Sequence, residues 1–135
     1  MSIEVGRRGR AETTVTEQNT AAAVGSGSLP VFATPMMTAL MEQAACAALD
    51  GALEPGETTV GTRLEITHDA ASPVGIAVWA EAEVTAVDRR KITFSVRAFD
   101  TAGPIGQGVH ERFVVRSEPF VERAQARKGA ESDVH

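Results

Sequence analysis

One carboxylate stands in the middle of the most apolar stretch of this chain, VFATPMMTALMEQAACAAL at residues 31–49. That residue is Glu42. On a helical wheel Met36, Met37, Leu40, Met41, Ala44, Ala47 and Ala48 fill one broad arc, and Glu42 falls outside it among Thr38, Ala39, Cys46 and Leu49. A second titratable group, His68, ends the run TVGTRLEITH. There it is in phase with Val60, Leu64 and Ile66 and opposite Gly61, Arg63, Glu65 and Thr67, so its imidazole is expected to point toward the layer where the helix packs. A buried imidazole needs a partner, and the only charge on the helix is the natural one. A carboxylate and an imidazole in a partly dry pocket form an acid/base pair tuned near neutrality. The plainer outcome of the same pattern is a core histidine and a glutamate at the solvent edge.

Thr34 is a favoured N-cap type and Pro35 suits the first helical position, so the helix is expected over Pro35–Leu49, with Gly51, Pro55 and Gly56 stopping it. The Thr34 hydroxyl either caps this helix or takes part in chemistry. The eight residues from Thr34 to Glu42 span about 12 Å of helix. Contact between the two therefore requires substrate, water, a distorted helix start or a second subunit. The N–H groups of the first turn, at the positive end of the helix, are candidates to polarise a carbonyl. Gly61, without a side chain, lets a substrate approach the strand backbone, and Arg112 is either a solvated strand charge or an anchor for a carbonyl or carboxylate. DRRK at 88–91 is a charged turn whose Arg89, Arg90 and Lys91 are alternatively placed for phosphates. Cys46 is the only cysteine, which excludes an intrachain disulfide, and it is expected as a small buried residue. The three histidines, His68, His110 and His135, are scattered, and neither CxxC nor HExxH occurs, so no metal cage is expected.

The elements that must position these groups follow from the change of period along the chain. Residues 8–17 alternate weakly as a strand, and AAAVGSGSLP at 21–30 reads as a small-residue loop. After the helix the period becomes two. IAVWAEAEVTAV sets Ile76, Val78, Ala80, Ala82, Val84 and Ala86 against Trp79, Glu81 and Glu83. KITFSVRAFD points Ile92, Phe94, Val96 and Ala98 inward, and IGQGVHERFVVR closes a four-stranded antiparallel meander. The fold class is α+β: one long central helix wrapped by an antiparallel five-stranded sheet. The 135 residues suit a single domain with its core at about 8–118, and the polar tail from Ser117 is expected to fray. A formal net charge of -5 disfavours a general nucleic-acid binder. No run approaches the roughly 18 apolar residues of a spanning helix, nor does an apolar segment follow the basic N-terminus; a cytoplasmic protein is expected. The helix is apolar nearly all round, and the sheet edges need protection, which together predict a homodimer.

Three segments, VFATPMMTALMEQA, PGETTVGTRLEITHDAASPVG and GQGVHERFVV, resemble the fluoroacetyl-CoA thioesterase family of hotdog-fold proteins over about residues 31–116. The resemblance implies an acyl-CoA thioesterase with Thr34, Glu42 and His68 as catalytic triad and Gly61 and Arg112 in contact with substrate. It implies an acyl-CoA as partner, a hotdog dimer and no metal or redox cofactor. Glu42 would orient His68 or attack directly. The loop GSGSLPVF before Thr34 is small, with Phe32 its only aromatic, so the resemblance extends to thioester hydrolysis and not to the fluoroacetyl group. A noncatalytic acyl-CoA or small-molecule binding module on the same fold is the alternative. A hydratase is disfavoured because THDAASPVG lacks the D-x-N-P-[LIV]-H pattern of hotdog hydratases.

Overall fold

The period-two segments form one antiparallel sheet in a computed structural model that describes residues 3–132. Its strands are β1 (Arg8–Thr14), β2 (Glu57–His68), β3 (Ala77–Asp88), β4 (Lys91–Asp100) and β5 (Gly103–Arg116), arranged in the order β1-β3-β4-β5-β2. A four-residue helix α1 (Ala21–Val24) occupies the segment read as a loop; it is capped by Thr20 and ended by Gly25 in the left-handed conformation. Helix α2 (Thr34–Ala48) lies across the inner face of the sheet. Among the described residues no helix is long and apolar enough to cross a membrane.

The core is the seam between α2 and the sheet. Met37, Leu40, Met41, Ala44, Ala45 and Ala48 meet Val78, Ala80, Ala82, Val84, Ile92, Phe94, Val96 and Ala98, all buried. The alanines keep helix and sheet close. At β1 the approach is closest, because a side-chain carbon on Gly9 would stand 2.2 Å from Ala44 O and Ala48 N. Only one side of α2 is covered in this way. Gln43, Cys46 and Ala47 are exposed on the other, so Cys46 is not the buried residue expected from the apolar helix around it.

Two further expectations fail at β-bulges, each of which inserts one residue and reverses the alternation beyond it. In β2 the register shifts between Gly61 and Arg63. Gly61 pairs with Arg112 and Leu64 with His110, so Gly61 shares the inner face with Leu64, Ile66 and His68, whereas Val60, paired with Phe113, faces away. In β3 the shift between Val84 and Ala86 turns Ala86 outward, opposite Thr93, and brings Val87 in opposite Ile92. The segment from Ser117 is not frayed through the described residues: it forms α3 (Ser117–Ser132). Its apolar periodicity is weak, but Ala124, Gln125, Ala126, Arg127 and Lys128 are strong helix formers, and Arg123 lies over the Phe120 ring one turn back at 5.9 Å.

Gly9→Ala should destabilise the protein by about 1–3 kcal/mol, since backbone atoms of α2 and not a movable side chain meet the added methyl. Urea denaturation measures this. A change inside roughly 0.5 kcal/mol would mean that β1 shifts freely against the helix.

Candidate functional site

Two polar clusters lie on the uncovered side of the helix. The first forms where α2 begins. Thr34 does not cap the helix. Ala33 holds the N-cap position without a side-chain bond, and Thr34 is the first helical residue, which leaves its hydroxyl free to meet His68 Nδ1 at 2.7 Å. Both flanking segments are tied down. Phe32 N donates to Ser72 O at 2.9 Å and Ala33 N to Asn19 O at 3.0 Å, while Asp69 N donates to Ile105 O at 2.7 Å. Ser72, fully buried, donates its hydroxyl to Asp100 at 2.7 Å and so fixes the loop after His68 to the end of β4. Thr34 and His68 line a cavity of about 220 Å³ with Phe32, Ala21, Ser26, Val31 and residues 69–71. His68 Nε2 is buried and has no hydrogen-bond partner among the described residues. Of the first-turn N–H groups, those of Met36 and Met37 both bond to Ala33 O, and Pro35 has none. The helix offers its positive end here, with fewer amide donors than expected from the sequence.

The second cluster surrounds Arg112, which is 7% exposed. Its guanidinium donates from Nε to Thr59 Oγ1 at 2.9 Å and from Nη2 to Thr59 O at 3.0 Å. Nη1 reaches Glu42 Oε2 at 3.3 Å and His110 Nε2 at 3.1 Å. Since a carbonyl can only accept, the 2.8 Å bond between His110 Nδ1 and Arg63 O places the ring proton on Nδ1 and leaves the Nε2 lone pair for Arg112. Gly61 makes room for this arrangement. A side-chain carbon there would stand 2.6 Å from Glu42 Oε2 and 3.2 Å from Arg112 Nη1 and from His110 Cε1.

Within one chain, therefore, Thr34 meets His68, and Glu42 meets Gly61 and Arg112, but Glu42 does not meet His68. The reason is geometric: Thr34 and Glu42 are two turns apart on α2, and Gly61, near the middle of β2, is well short of His68 at its end. His110 and Thr59 were not singled out from the sequence. The signal for His110 was its shared phase with Arg112 and Val114 in VHERFVV, which puts all three inward. Of the basic turn residues, Arg90 is engaged with Glu57 at 3.5 Å and Val114 O at 3.2 Å. Among the described residues no group of His, Cys, Asp and Glu could hold a metal ion.

Burial pushes both imidazoles below the ordinary 6.5. For His68, Asp69 and a backbone hydrogen bond at Ala70 act against that shift. For His110 the bond to Arg63 opposes it, Arg112 adds to it, and Glu42 and Glu111 oppose it. His110 is accordingly a neutral acceptor at pH 7, and its 4.0 Å approach to Glu42 is not an ion pair.

The family model described as fluoroacetyl-CoA-specific thioesterase (FlK) matches residues 15–118. The fluoroacetyl-CoA thioesterase of Streptantibioticus cattleyicolor is 44% identical over 90 residues, a match that spans 67% of this chain and 65% of that protein, just under two thirds of its length. A mutant of FlK solved in complex with acetyl-CoA superimposes with a TM-score of 0.87 at 35% identity, covering 92% of this chain and 98% of the other. A thioesterase superfamily member from Thermus thermophilus gives a TM-score of 0.87 at 27% identity, covering 99% and 98%. The five-stranded sheet and its helix are those of the hotdog thioesterases.

The two depressed histidines predict a pH dependence of stability. Above about pH 6.5 neither folded nor unfolded chain binds a proton on them; below it the unfolded chain does and the native one does not, so stability falls until the lowered native pKa values are reached. Denaturation midpoints measured from about pH 7.5 down to about pH 5.5 should decline, and His110→Gln should flatten the slope. Proton NMR titration should place both imidazole midpoints below 6.5. A midpoint at or above 6.5 for His68 would remove burial as the dominant influence on it.

Proposed function

The chain belongs to the family of the fluoroacetyl-CoA-specific thioesterase, and from that premise we propose that it hydrolyses acyl-CoA thioesters, with Thr34, His68 and Glu42 as the reacting groups and Gly61 and Arg112 at the substrate. The observation that carries this reading is the 2.7 Å contact between Thr34 and a half-buried, neutral His68 at the wall of a cavity. An imidazole with a lowered pKa is a base at neutral pH and lies within proton-transfer distance of the hydroxyl. It accepts a proton from the nucleophile, whether Thr34 or a water beside it, and returns it to the departing CoA thiolate; where Thr34 attacks, a water deprotonated by the same imidazole then hydrolyses the acyl-threonine ester and restores the hydroxyl. The positive end of α2 stabilises the developing oxyanion. The acyl-CoA complex of the structural relative supports the substrate class.

The functional assembly is a homodimer. β2 is an edge strand, and the side of α2 that carries Glu42 is not covered by the chain's own sheet. Pairing β2 antiparallel with a second copy, about an axis midway between positions 61 and 68, sets Gly61 of one copy against His68 of the other. Each Glu42 and Arg112 then approaches the other copy's Thr34 and His68. A carboxylate unable to reach the imidazole of its own chain reaches that of the second copy, where it orients the ring or activates water. This arrangement also covers the exposed helix side and pairs the β2 edge of each copy.

Release of free thiol from a panel that includes acetyl-CoA and fluoroacetyl-CoA is the direct test; saturable binding without turnover on every member would favour a noncatalytic module instead. His68→Ala and Glu42→Gln should each lower kcat by at least about a hundredfold with the fold intact, and Thr34→Ala should cost less if its hydroxyl only positions the imidazole. Activity should fall along an acid limb below pH 6.5, where His68 takes up a proton and ceases to act as a base. Sedimentation at micromolar concentration should give twice the chain mass. An active monomer across the assay range would sink the shared site.

A further inference from the structure

His110 lies outside the Thr34, Glu42 and His68 set, yet it is fully buried beside it, with 0% exposure. We infer that His110 is a positioning residue that holds Arg112 in the plane and rotation that present Nη1 to Glu42. The inference rests on the thioesterase reading and extends it to a residue outside the proposed triad. The geometry of the guanidinium carries it. Nε and Nη2 share one edge, and both bond to Thr59, at 2.9 and 3.0 Å. Nη1 is the remaining corner. Its bond to Glu42 is long, 3.3 Å, and the Glu42 side chain is 37% exposed, so that carboxylate by itself is a loose tether. His110 Nε2, at 3.1 Å, is the buried acceptor that fixes this corner.

The ring has no freedom to do otherwise. Its Nδ1–H is bonded at 2.8 Å to Arg63 O, at the edge of the β2 bulge, and its face stacks on Phe94 with 6.0 Å between centroids. The bulge thus sets the tautomer of His110, the tautomer supplies an acceptor to Arg112, and Arg112 orients Glu42. Burial and the nearby guanidinium keep the ring neutral, as this acceptor function requires. A protonated ring would present a donor and a like charge to Arg112.

Two substitutions separate positioning from mere filling of space. His110→Asn keeps an N–H in the place of Nδ1 and loses the distal acceptor. His110→Gln puts a carbonyl oxygen in the place of Nε2 and loses the bond to Arg63. Steady-state thiol release is measured on whichever of acetyl-CoA and fluoroacetyl-CoA the parent turns over faster, with melting temperatures in parallel. His110→Asn should lower kcat about tenfold, the scale of one charge-assisted hydrogen bond, with KM little changed. His110→Gln should recover most of that kcat even if its melting temperature is the lower of the two. In a Glu42→Gln background His110→Asn should cause no further loss of kcat, because both changes break one chain of contacts. Equal kcat losses in both variants that track their melting temperatures would overturn the inference, as would a full additional loss in the Glu42→Gln background. Wild-type kcat in His110→Asn beside an inactive Glu42→Gln would overturn it alone. Near wild-type kcat in Glu42→Gln would overturn the site assignment beneath it as well.

Discussion

A guanidinium on the inner face of a sheet must be matched by acceptors on every edge, and the need to satisfy Arg112 organises half of this site. An unpaired buried cation costs far more than the modest net worth of the bonds that satisfy it. Thr59 supplies two acceptors from the neighbouring strand, His110 a third from the same strand, and Glu42 the counter-charge from the helix. Gly61 is part of the same constraint, since any side chain there would meet the Glu42 carboxylate. The only charge on an apolar helix is thus explained first as the counter-ion of a buried arginine. Its proposed chemistry builds on a position that electrostatics already requires.

The bulge in β2 makes that convergence possible. With strict alternation Gly61 would face away from Leu64, Ile66 and His68, and Gly61 and His68 could not serve the same layer. One inserted residue brings Gly61 to the inner face while leaving His68 inward. The Arg63 carbonyl at the bulge also receives the His110 ring, so the irregularity both turns the strand and fixes a histidine tautomer.

The sheet covers one side of α2 and leaves the other, with Glu42, Gln43 and Cys46, beside the free edge of β2. A single chain therefore holds two polar clusters, a hydroxyl with its imidazole and a carboxylate with its arginine, separated along both helix and strand. In the dimer proposed above, the twofold relation between copies closes that separation. Edge protection, burial of the open helix side and assembly of the reacting groups then have one common cause.

The sequence by itself determined the local elements and the identity of the chemical groups. Period-two and period-3.6 patterning placed the long helix and the strands, and the inward phase of Ile92, Phe94, Val96 and Ala98 follows directly from alternation. The positions of Thr34, Glu42, His68, Gly61 and Arg112 were likewise legible, from residue type and from family resemblance. What the tertiary structure decided was which of them meet. Thr34 meets His68 because backbone bonds from Asn19, Ser72 and Ile105 bring two distant segments together. Gly61 joins Glu42 because of a bulge that no periodicity announces, and His110 is buried because the residues opposite it belong to other strands. Alternation and propensity are properties of neighbours in the chain. The partners of a buried polar group are set by packing between segments far apart in it, and those partners were not readable until the sheet had closed around the helix.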